Sequence, residues 1–190
     1  MILRNKNIHM VKIYKNIFPD NICKNLIDLF EKNTEHQHFV NYDYRPCFTQ
    51  VNINQVSVYD TVADDTIRLL MPYIENVYNQ YRKDTNNYYS PSFKHLEQFR
   101  IKRYDTSGDQ RFDEHVDVTD YESCLRAIAF LFYLNDNDGN TIFPRHGLNI
   151  KPVSGKVIVF PPTWEYPHQG LAPKSNPKYI MSTYVHYGAN

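Results

Sequence analysis

The chain has 190 residues, of which 42% are hydrophobic and 22% charged, a composition typical of a globular protein with a buried core. Its 21 basic residues equal its 21 acidic residues, which argues against nucleic acid as a partner, because proteins that coat nucleic acids are usually basic. The three cysteines, Cys23, Cys47 and Cys124, are odd in number and widely spaced, which argues against a disulfide framework and a structural zinc site.

The N-terminal half of the chain is predicted to be helical. Its first residues lack the apolar run and cleavage site of a signal peptide, and no long apolar run follows, so we expect a cytoplasmic protein without a membrane partner. A short strand within residues 9–18 leads to a helix that follows Pro19, has Asp20 as its N-cap and ends near Asn33. Pro72 is expected to kink or break a second helix. The apolar face of that helix comprises Ile67, Leu70, Met71, Ile74, Val77, Tyr78 and Tyr81.

The C-terminal half is predicted to be built from strands. Residues 34–54 read as loop with some strand, and residues 83–92 as loop. Two helices followed by antiparallel strands favour a mainly β fold, a sheet sandwich or jelly roll with the helices packed on one sheet. We expect one domain over residues 1–190, with helical support in 1–90 and the core in 95–188. Strands are expected near 95–104, 113–117, 125–134, 140–143, 148–151, 156–160 and 178–187.

Three polar residues have the pattern of a metal site. His115 and Asp117 lie one residue apart in a predicted strand, where residues i and i+2 point to the same face. His168 follows a later apolar strand and supplies a third ligand. Two imidazoles and one carboxylate leave positions open on the metal, an arrangement that suits Fe(II) better than a closed structural zinc site. His36 and His38 are less suitable, because their polar surroundings favour exposure to solvent.

The C-terminal half resembles the catalytic core of the prolyl 4-hydroxylase-like 2-oxoglutarate and Fe(II)-dependent oxygenases. The resemblance covers roughly half the chain and implies a double-stranded β-helix with His115, Asp117 and His168 as the metal ligands. The intact carboxylate of Asp117 favours hydroxylation over halogenation. The matching segments, in the family's order and at about its spacing, are RYDTSGDQRFDEHVD (103–117), FLFYLND (130–136), GNTIFP (139–144), IKPVSGKVIVFPP (150–162), HQG (168–170) and KYIMSTYVHY (178–187).

The resemblance also implies the cofactors and their contacts. Fe(II), 2-oxoglutarate and O₂ are expected, and ascorbate is a further candidate. Lys178 occupies the position of the basic residue that holds the far carboxylate of 2-oxoglutarate. Tyr104, Tyr133 and Ser182 match further co-substrate contacts, each with packing as the alternative role.

The expected function is that of a dioxygenase that hydroxylates its substrate and releases succinate and CO₂. The substrate is a peptide or a small molecule, with peptidyl proline as the first candidate by resemblance. The turn Asp138-Gly139-Asn140-Thr141 departs from the family's Gly-Gly-Glu-Thr, which leaves the substrate class open, and the sequence does not fix the oligomeric state. One alternative is a non-enzymatic β-sandwich binding module with a vestigial or structural metal site, and another is a cupin-like zinc or manganese hydrolase.

Overall fold

The computed structural model describes residues 10–42, 46–58, 60–106 and 109–188. The described residues form three α-helices, namely α1 (Asp20–Lys32), α2 (Ile53–Val56) and α3 (Thr61–Thr85). They also form eleven strands. These are β1 (Lys12–Tyr14), β2 (His38–Asn41), β3 (Cys47–Asn52), β4 (Arg100–Tyr104), β5 (Phe112–His115), β6 (Arg126–Tyr133), β7 (Thr141–Phe143), β8 (Leu148–Ile150), β9 (Val157–Phe160), β10 (His168–Gly170) and β11 (Lys178–His186).

Helix α1 ends as predicted but begins differently. The predicted N-cap, Asp20, is wrong by one residue, because Pro19 is the N-cap and its carbonyl accepts the first hydrogen bonds from Ile22 and Cys23. Asp20 is the first helical residue, and its carboxylate accepts a hydrogen bond from the Ser154 hydroxyl at 3.1 Å. A carboxylate in the first turn also suits the positive end of the helix dipole.

Helix α3 is one uninterrupted helix of 25 residues, with Pro72 in its interior. Of the two predicted effects of Pro72, a kink or a break, the break is therefore wrong. Asp60 caps the helix, because its side chain accepts a hydrogen bond from the backbone N–H of Val62 at 2.8 Å. Asn86 ends it in the left-handed conformation at φ 53°. Packing of the apolar face against the sheet outweighs the backbone hydrogen bond that proline cannot make.

The described strands form two antiparallel sheets. A seven-stranded major sheet has the order β1-β9-β6-β11-β4-β3-β2, and a four-stranded minor sheet has the order β5-β10-β7-β8. Helices α1 and α3 cover one face of the major sheet, where Leu26 and Ile74 belong to the same apolar core as Phe130 and Met181. The predicted jelly-roll core with helices on one sheet is confirmed.

A second apolar core fills the space between the two sheets. Phe143 and Ile150 of the minor sheet pack there with Ile158 and Ile180 of the major sheet. Side chains along a strand point alternately to the two faces of the sheet. Strands β4, β6 and β11 therefore each have one set of side chains facing the helices and another facing this interior. Within the described part of the chain, no helix is both long and apolar enough to cross a membrane.

The strand predictions fail in three places. Residues 95–99 were predicted as strand but precede β4, and they form only an isolated bridge between Leu96 and Val185. The backbone N–H of Phe99 donates to the Asn54 side chain, not to a neighbouring strand. Strand β10 is too short to give a period of its own, and the sequence analysis missed it. Strand β5 ends at His115, so Asp117, which was predicted to lie in this strand, is found beyond its end, in a bend.

Candidate metal and co-substrate site

The three residues predicted to bind a metal lie together at one end of the interior between the sheets. One ligand atom from each of His115, Asp117 and His168 lies within 4.8 Å of the other two. The Nε2 atoms of the two histidines are 3.7 Å and 3.8 Å from the carboxylate oxygens of Asp117. Antiparallel pairing of β5 with β10 places His115 directly opposite His168. Among the described residues, this is the only group of at least three such ligands.

Both histidines are held with Nε2 towards the common centre. The Nδ1 atom of His115 lies 2.7 Å from the carbonyl oxygen of Asp113, and Nδ1 of His168 lies 3.2 Å from that of Tyr166. A carbonyl can only accept a hydrogen bond, so Nδ1 carries the proton and the Nε2 lone pair is available to a metal. Burial, followed by the nearby imidazole of His168, lowers the pKa of His115 to about 4, which keeps it neutral.

Aromatic rings fix the planes of the two imidazoles. Phe112 stacks on His115, with ring centroids 3.4 Å apart and planes 7° from parallel. Phe143 stacks on His168 at 5.3 Å, and Phe160 approaches the same ring edge-on at 4.8 Å. These contacts restrict rotation of the rings, so the ligand geometry exists before a metal binds.

Asp117 owes its position to backbone contacts rather than to the strand pairing that was predicted. Its N–H donates to the carbonyl oxygen of Pro162 at 3.1 Å. Its own carbonyl oxygen accepts a hydrogen bond from the guanidinium of Arg126 at 2.8 Å. Arg126 is in turn bound by both carboxylate oxygens of Glu97, at 2.7 Å and 2.8 Å. A chain of charged hydrogen bonds therefore anchors the acidic ligand to strand β6.

Lys178 begins the last strand, as predicted, and is buried in the same cavity as the three ligands. Its amino group donates to the carbonyl oxygens of Gly139 at 3.0 Å and Leu171 at 2.9 Å. It also lies 4.4 Å from the centre of the Tyr104 ring. Burial lowers the pKa of Lys178 to about 7, and the charge of Asp138 opposes this shift only in part. No described carboxylate forms an ion pair with it.

The other predicted co-substrate contacts differ in their access to the cavity. Tyr104 and Ser182 both line it. Burial, and then the charge of Asp117, raise the pKa of Tyr104, so its hydroxyl remains a hydrogen-bond donor. The Tyr133 hydroxyl donates to the Thr141 hydroxyl at 2.6 Å, and Thr141 is the member of this pair that lines the cavity.

Three residues that the sequence analysis did not identify also belong to the site. Lys102 lines the cavity from strand β4, Thr141 lines it from β7, and Arg126 supports Asp117. Lys102 had a detectable signal, because it precedes Tyr104 by two residues and therefore shares its face of the strand. The role of Arg126 depends on a partner 29 residues away, Glu97, which no local pattern reveals.

The donor set fits a catalytic iron better than a structural metal. Two neutral imidazole nitrogens and a carboxylate approach from one side, which leaves the remaining positions open towards the cavity. The same cavity holds a buried ammonium group with only carbonyl oxygens as hydrogen-bond partners. A dicarboxylate that chelates the metal at one end and meets Lys178 at the other would supply the missing counter-charge.

Comparison with known proteins agrees with this description. Residues 99–186, which contain the three candidate ligands and Lys178, match the 2OG-Fe(II) oxygenase superfamily. The solved structures to which the chain is similar include a viral collagen prolyl hydroxylase from Paramecium bursaria Chlorella virus-1 in complex with 2OG. It is 18% identical, with TM-score 0.66 and coverage of 93% of this chain and 95% of that one.

The second is a prolyl hydroxylase from Trichoplax adhaerens in complex with a hypoxia inducible factor peptide fragment, with 14% identity, TM-score 0.71 and coverage of 96% and 84%. The third is a Pseudomonas putida prolyl-4-hydroxylase, with 15% identity, TM-score 0.67 and coverage of 94% and 92%. No curated protein sequence matches the chain. At these identities the structures establish the fold alone. The similarity of the chain to the 2OG-Fe(II) oxygenase superfamily therefore rests on residues 99–186.

Proposed function

We propose that the protein is an Fe(II)- and 2-oxoglutarate-dependent dioxygenase that hydroxylates a carbon of its substrate and releases succinate and CO₂. His115, Asp117 and His168 are the iron ligands in this proposal. The observation that carries it is the presence, in one cavity, of an open three-ligand set and the buried cation of Lys178. Neither a structural metal site nor a hydrolase requires such a cation beside its metal. We also propose that the helices and the β core act as one domain.

The protein holds the reactants rather than performing the oxidation itself. When bound, iron and 2-oxoglutarate supply the oxidising chemistry, with O₂ as the oxidant. The imidazole planes of His115 and His168 are fixed by hydrogen bonds and stacking, and Asp117 is fixed through its backbone. This pre-organisation would let the three side chains hold a metal from one side, with the cavity on the other side.

Lys178 is proposed to hold the far carboxylate of 2-oxoglutarate. Its ammonium group is presented by the carbonyls of Gly139 and Leu171, which orient it without neutralising its charge. Tyr104, Ser182 and Tyr133 are proposed as additional contacts, and the hydroxyl of Tyr133 acts through Thr141. Ascorbate is proposed as the reductant that keeps the iron in the ferrous state.

The favoured substrate class is a peptide, with a prolyl residue as the first to test. The similarity in fold to three prolyl hydroxylases supports this choice. The departure of the 138–141 turn from the family pattern is the reason to test other residues and small molecules in parallel.

The proposal is tested by mixing the metal-free protein with Fe(II) and 2-oxoglutarate under nitrogen. A chelate of 2-oxoglutarate on Fe(II) gives a weak visible charge-transfer band. We expect the band in the wild type, its absence in His115→Ala, and a much higher 2-oxoglutarate requirement in Lys178→Ala. The matched control is Lys24→Met, which removes an exposed lysine from helix α1.

The absence of a band in a folded wild type that binds iron would contradict the oxygenase proposal. A non-enzymatic binding module with a structural metal would then be the better account. A cupin-like hydrolase would be favoured by turnover with zinc or manganese that needs neither 2-oxoglutarate nor O₂.

A further inference from the structure

Lys102 is a second cation on the wall of the cavity. It lies on strand β4, two residues before Tyr104, and faces the interior between the sheets. In the pairing of β4 with β11, Lys178 is opposite Tyr104, whereas Lys102 is opposite Ile180. Two residues along a strand correspond to about 7 Å, so the two lysines enter the cavity at different levels. Lys102 also lines the adjoining groove beside His115 and Asp117, and Lys178 does not.

The amino group of Lys102 lacks a polar partner among the described residues. Its amino group lies 5.1 Å from the centroid of the Phe48 ring. The two neighbouring cations are different. Arg100 binds Glu97 at 2.5 Å, and Arg126 binds the same carboxylate at 2.7 Å, so each has an ion-pair partner within the protein. Among the described residues, the side chain of Lys102 therefore holds no structural element in place through a hydrogen bond or a salt bridge.

A positive charge in this position is unfavourable unless an anionic ligand pairs with it. Burial lowers the pKa of Lys102 to about 8, and the charge of Asp117 opposes that shift. The ammonium form still predominates at pH 7, but with little solvation. An apolar residue at the same place would pack without this cost, so the lysine is best explained by an anion that enters the cavity.

The charge balance of the loaded site identifies that ligand as something other than the co-substrate. Fe(II), the Asp117 carboxylate, the 2-oxoglutarate dianion and the Lys178 ammonium together carry no net charge. The ammonium of Lys102 is then in excess by one positive charge, on the groove side of the metal ligands. One point charge without a bidentate fork suits a monoanion such as a carboxylate.

We propose that Lys102 binds a carboxylate of the substrate, and hence that the protein hydroxylates substrates with a carboxylate close to the oxidised carbon. This inference rests on the proposed oxygenase function and adds the substrate class to it. The carboxylate can belong to the end of a peptide or free acid, or to an acidic side chain. Lys102 is a specificity-determining residue in this account, and the iron and 2-oxoglutarate are held without it.

Small probes test the proposal before the substrate is known. Acetylglycine presents a terminal carboxylate, acetyl-aspartic acid α-amide presents a side-chain carboxylate, and acetylglycinamide and acetylasparagine amide are their neutral counterparts. Zinc replaces iron to prevent turnover, 2-oxoglutarate is present at saturation, and binding is measured by saturation-transfer NMR of the acetyl methyl group. The proteins are wild type, Lys102→Met, Lys102→Arg and the exposed-lysine control Lys24→Met.

We expect at least one acidic probe to bind wild type and Lys24→Met about tenfold or more tightly than its neutral counterpart, because the ion pair forms away from bulk water. Lys102→Met should lose this preference, and Lys102→Arg should retain most of it. Which acidic probe is preferred distinguishes a terminal from a side-chain carboxylate. Lys102→Met should also raise the Tm of the ligand-free protein, since it removes a partly buried charge that has no ion-pair partner among the described residues, and this shows that the variant is folded.

Two results would overturn the inference. One is a wild type that binds acidic and neutral probes equally, or a preference that persists in Lys102→Met. The other is a loss of 2-oxoglutarate affinity in Lys102→Met as large as that in Lys178→Ala, which would assign Lys102 to the co-substrate. Failure of the oxygenase proposal is distinguishable, because it appears as a missing charge-transfer band in wild type whatever the probes do.

Discussion

The most distinctive prediction concerns the pH dependence of 2-oxoglutarate binding. Burial lowers the pKa of Lys178 to about 7 in the free protein. A carboxylate against the ammonium group favours the charged form, so the pKa of Lys178 rises when 2-oxoglutarate binds. Binding therefore takes up a proton above pH 7. The affinity is at its full value below the pKa of the free protein and falls as the pH rises above it.

The magnitude follows from the position of that pKa. Only the protonated fraction of Lys178 binds, and a pKa of about 7 makes this fraction about fiftyfold smaller at pH 9 than at pH 7. The dissociation constant of 2-oxoglutarate should rise by the same factor. His115 has a pKa of about 4, so its neutral state does not change over this range. Lys178→Arg should bind with little dependence on pH, because guanidinium stays charged.

Calorimetry on the manganese-loaded protein under nitrogen measures this dependence without turnover. Buffers of different ionisation enthalpy also count the protons taken up on binding. A wild-type affinity that stays flat from pH 7 to pH 9, or an equal slope in Lys178→Arg, would refute the assignment of Lys178 to the co-substrate.

Three further predictions test the surroundings of the site. Asp117→Asn should weaken Fe(II) binding by more than the roughly 10–100-fold that is lost when a hydrogen bond supporting a metal ligand is removed. Anaerobic metal titration measures this affinity, and an unchanged value would show that Asp117 is not a ligand. Gly139→Ala should raise the 2-oxoglutarate requirement, since its Cβ would lie 2.6 Å from the carbonyl oxygen of Leu171, whereas Gly147→Ala should affect only stability. Burial raises the pKa of Glu97, but hydrogen bonds from its partners outweigh this effect and lower the pKa to about 2. The contribution of Glu97 to the free energy of unfolding is therefore complete above pH 4.5 and is lost as the pH falls towards 2. Glu97→Gln should therefore lower the unfolding free energy at pH 7 by about 2 kcal/mol after allowance for solvent screening, and should flatten the acid branch of the stability curve.

The sequence predicted the parts of the fold that local periodicity encodes. Helix α1, helix α3 and most long strands follow apolar patterns that are visible in the sequence. His115 and Asp117 do converge as predicted, although the backbone of Asp117 is fixed by Pro162 and Arg126 instead of by strand pairing.

The remaining features depend on contacts between distant parts of the chain. Strand β10 forms because β5 and β7 pair with it on its two sides. Its three residues are too few to show a strand pattern in the sequence. The N-cap of α1 shifted because Asp20 bonds Ser154 instead of its own helix. No local pattern shows which cations near the site are paired, because Arg100 and Arg126 share the carboxylate of Glu97 and Lys102 does not contact it.

The central claim is tested most directly by following 2-oxoglutarate under ¹⁸O₂ with Fe(II), and with ascorbate to supply the two electrons that a substrate would otherwise provide. The account predicts slow formation of succinate with one ¹⁸O atom and an equal amount of CO₂. This turnover should be absent in Asp117→Ala, and Lys178→Ala should require far more 2-oxoglutarate. Succinate that carries no ¹⁸O, or no succinate from a wild type that binds both iron and 2-oxoglutarate, would contradict the assignment of this site as an oxygenase centre.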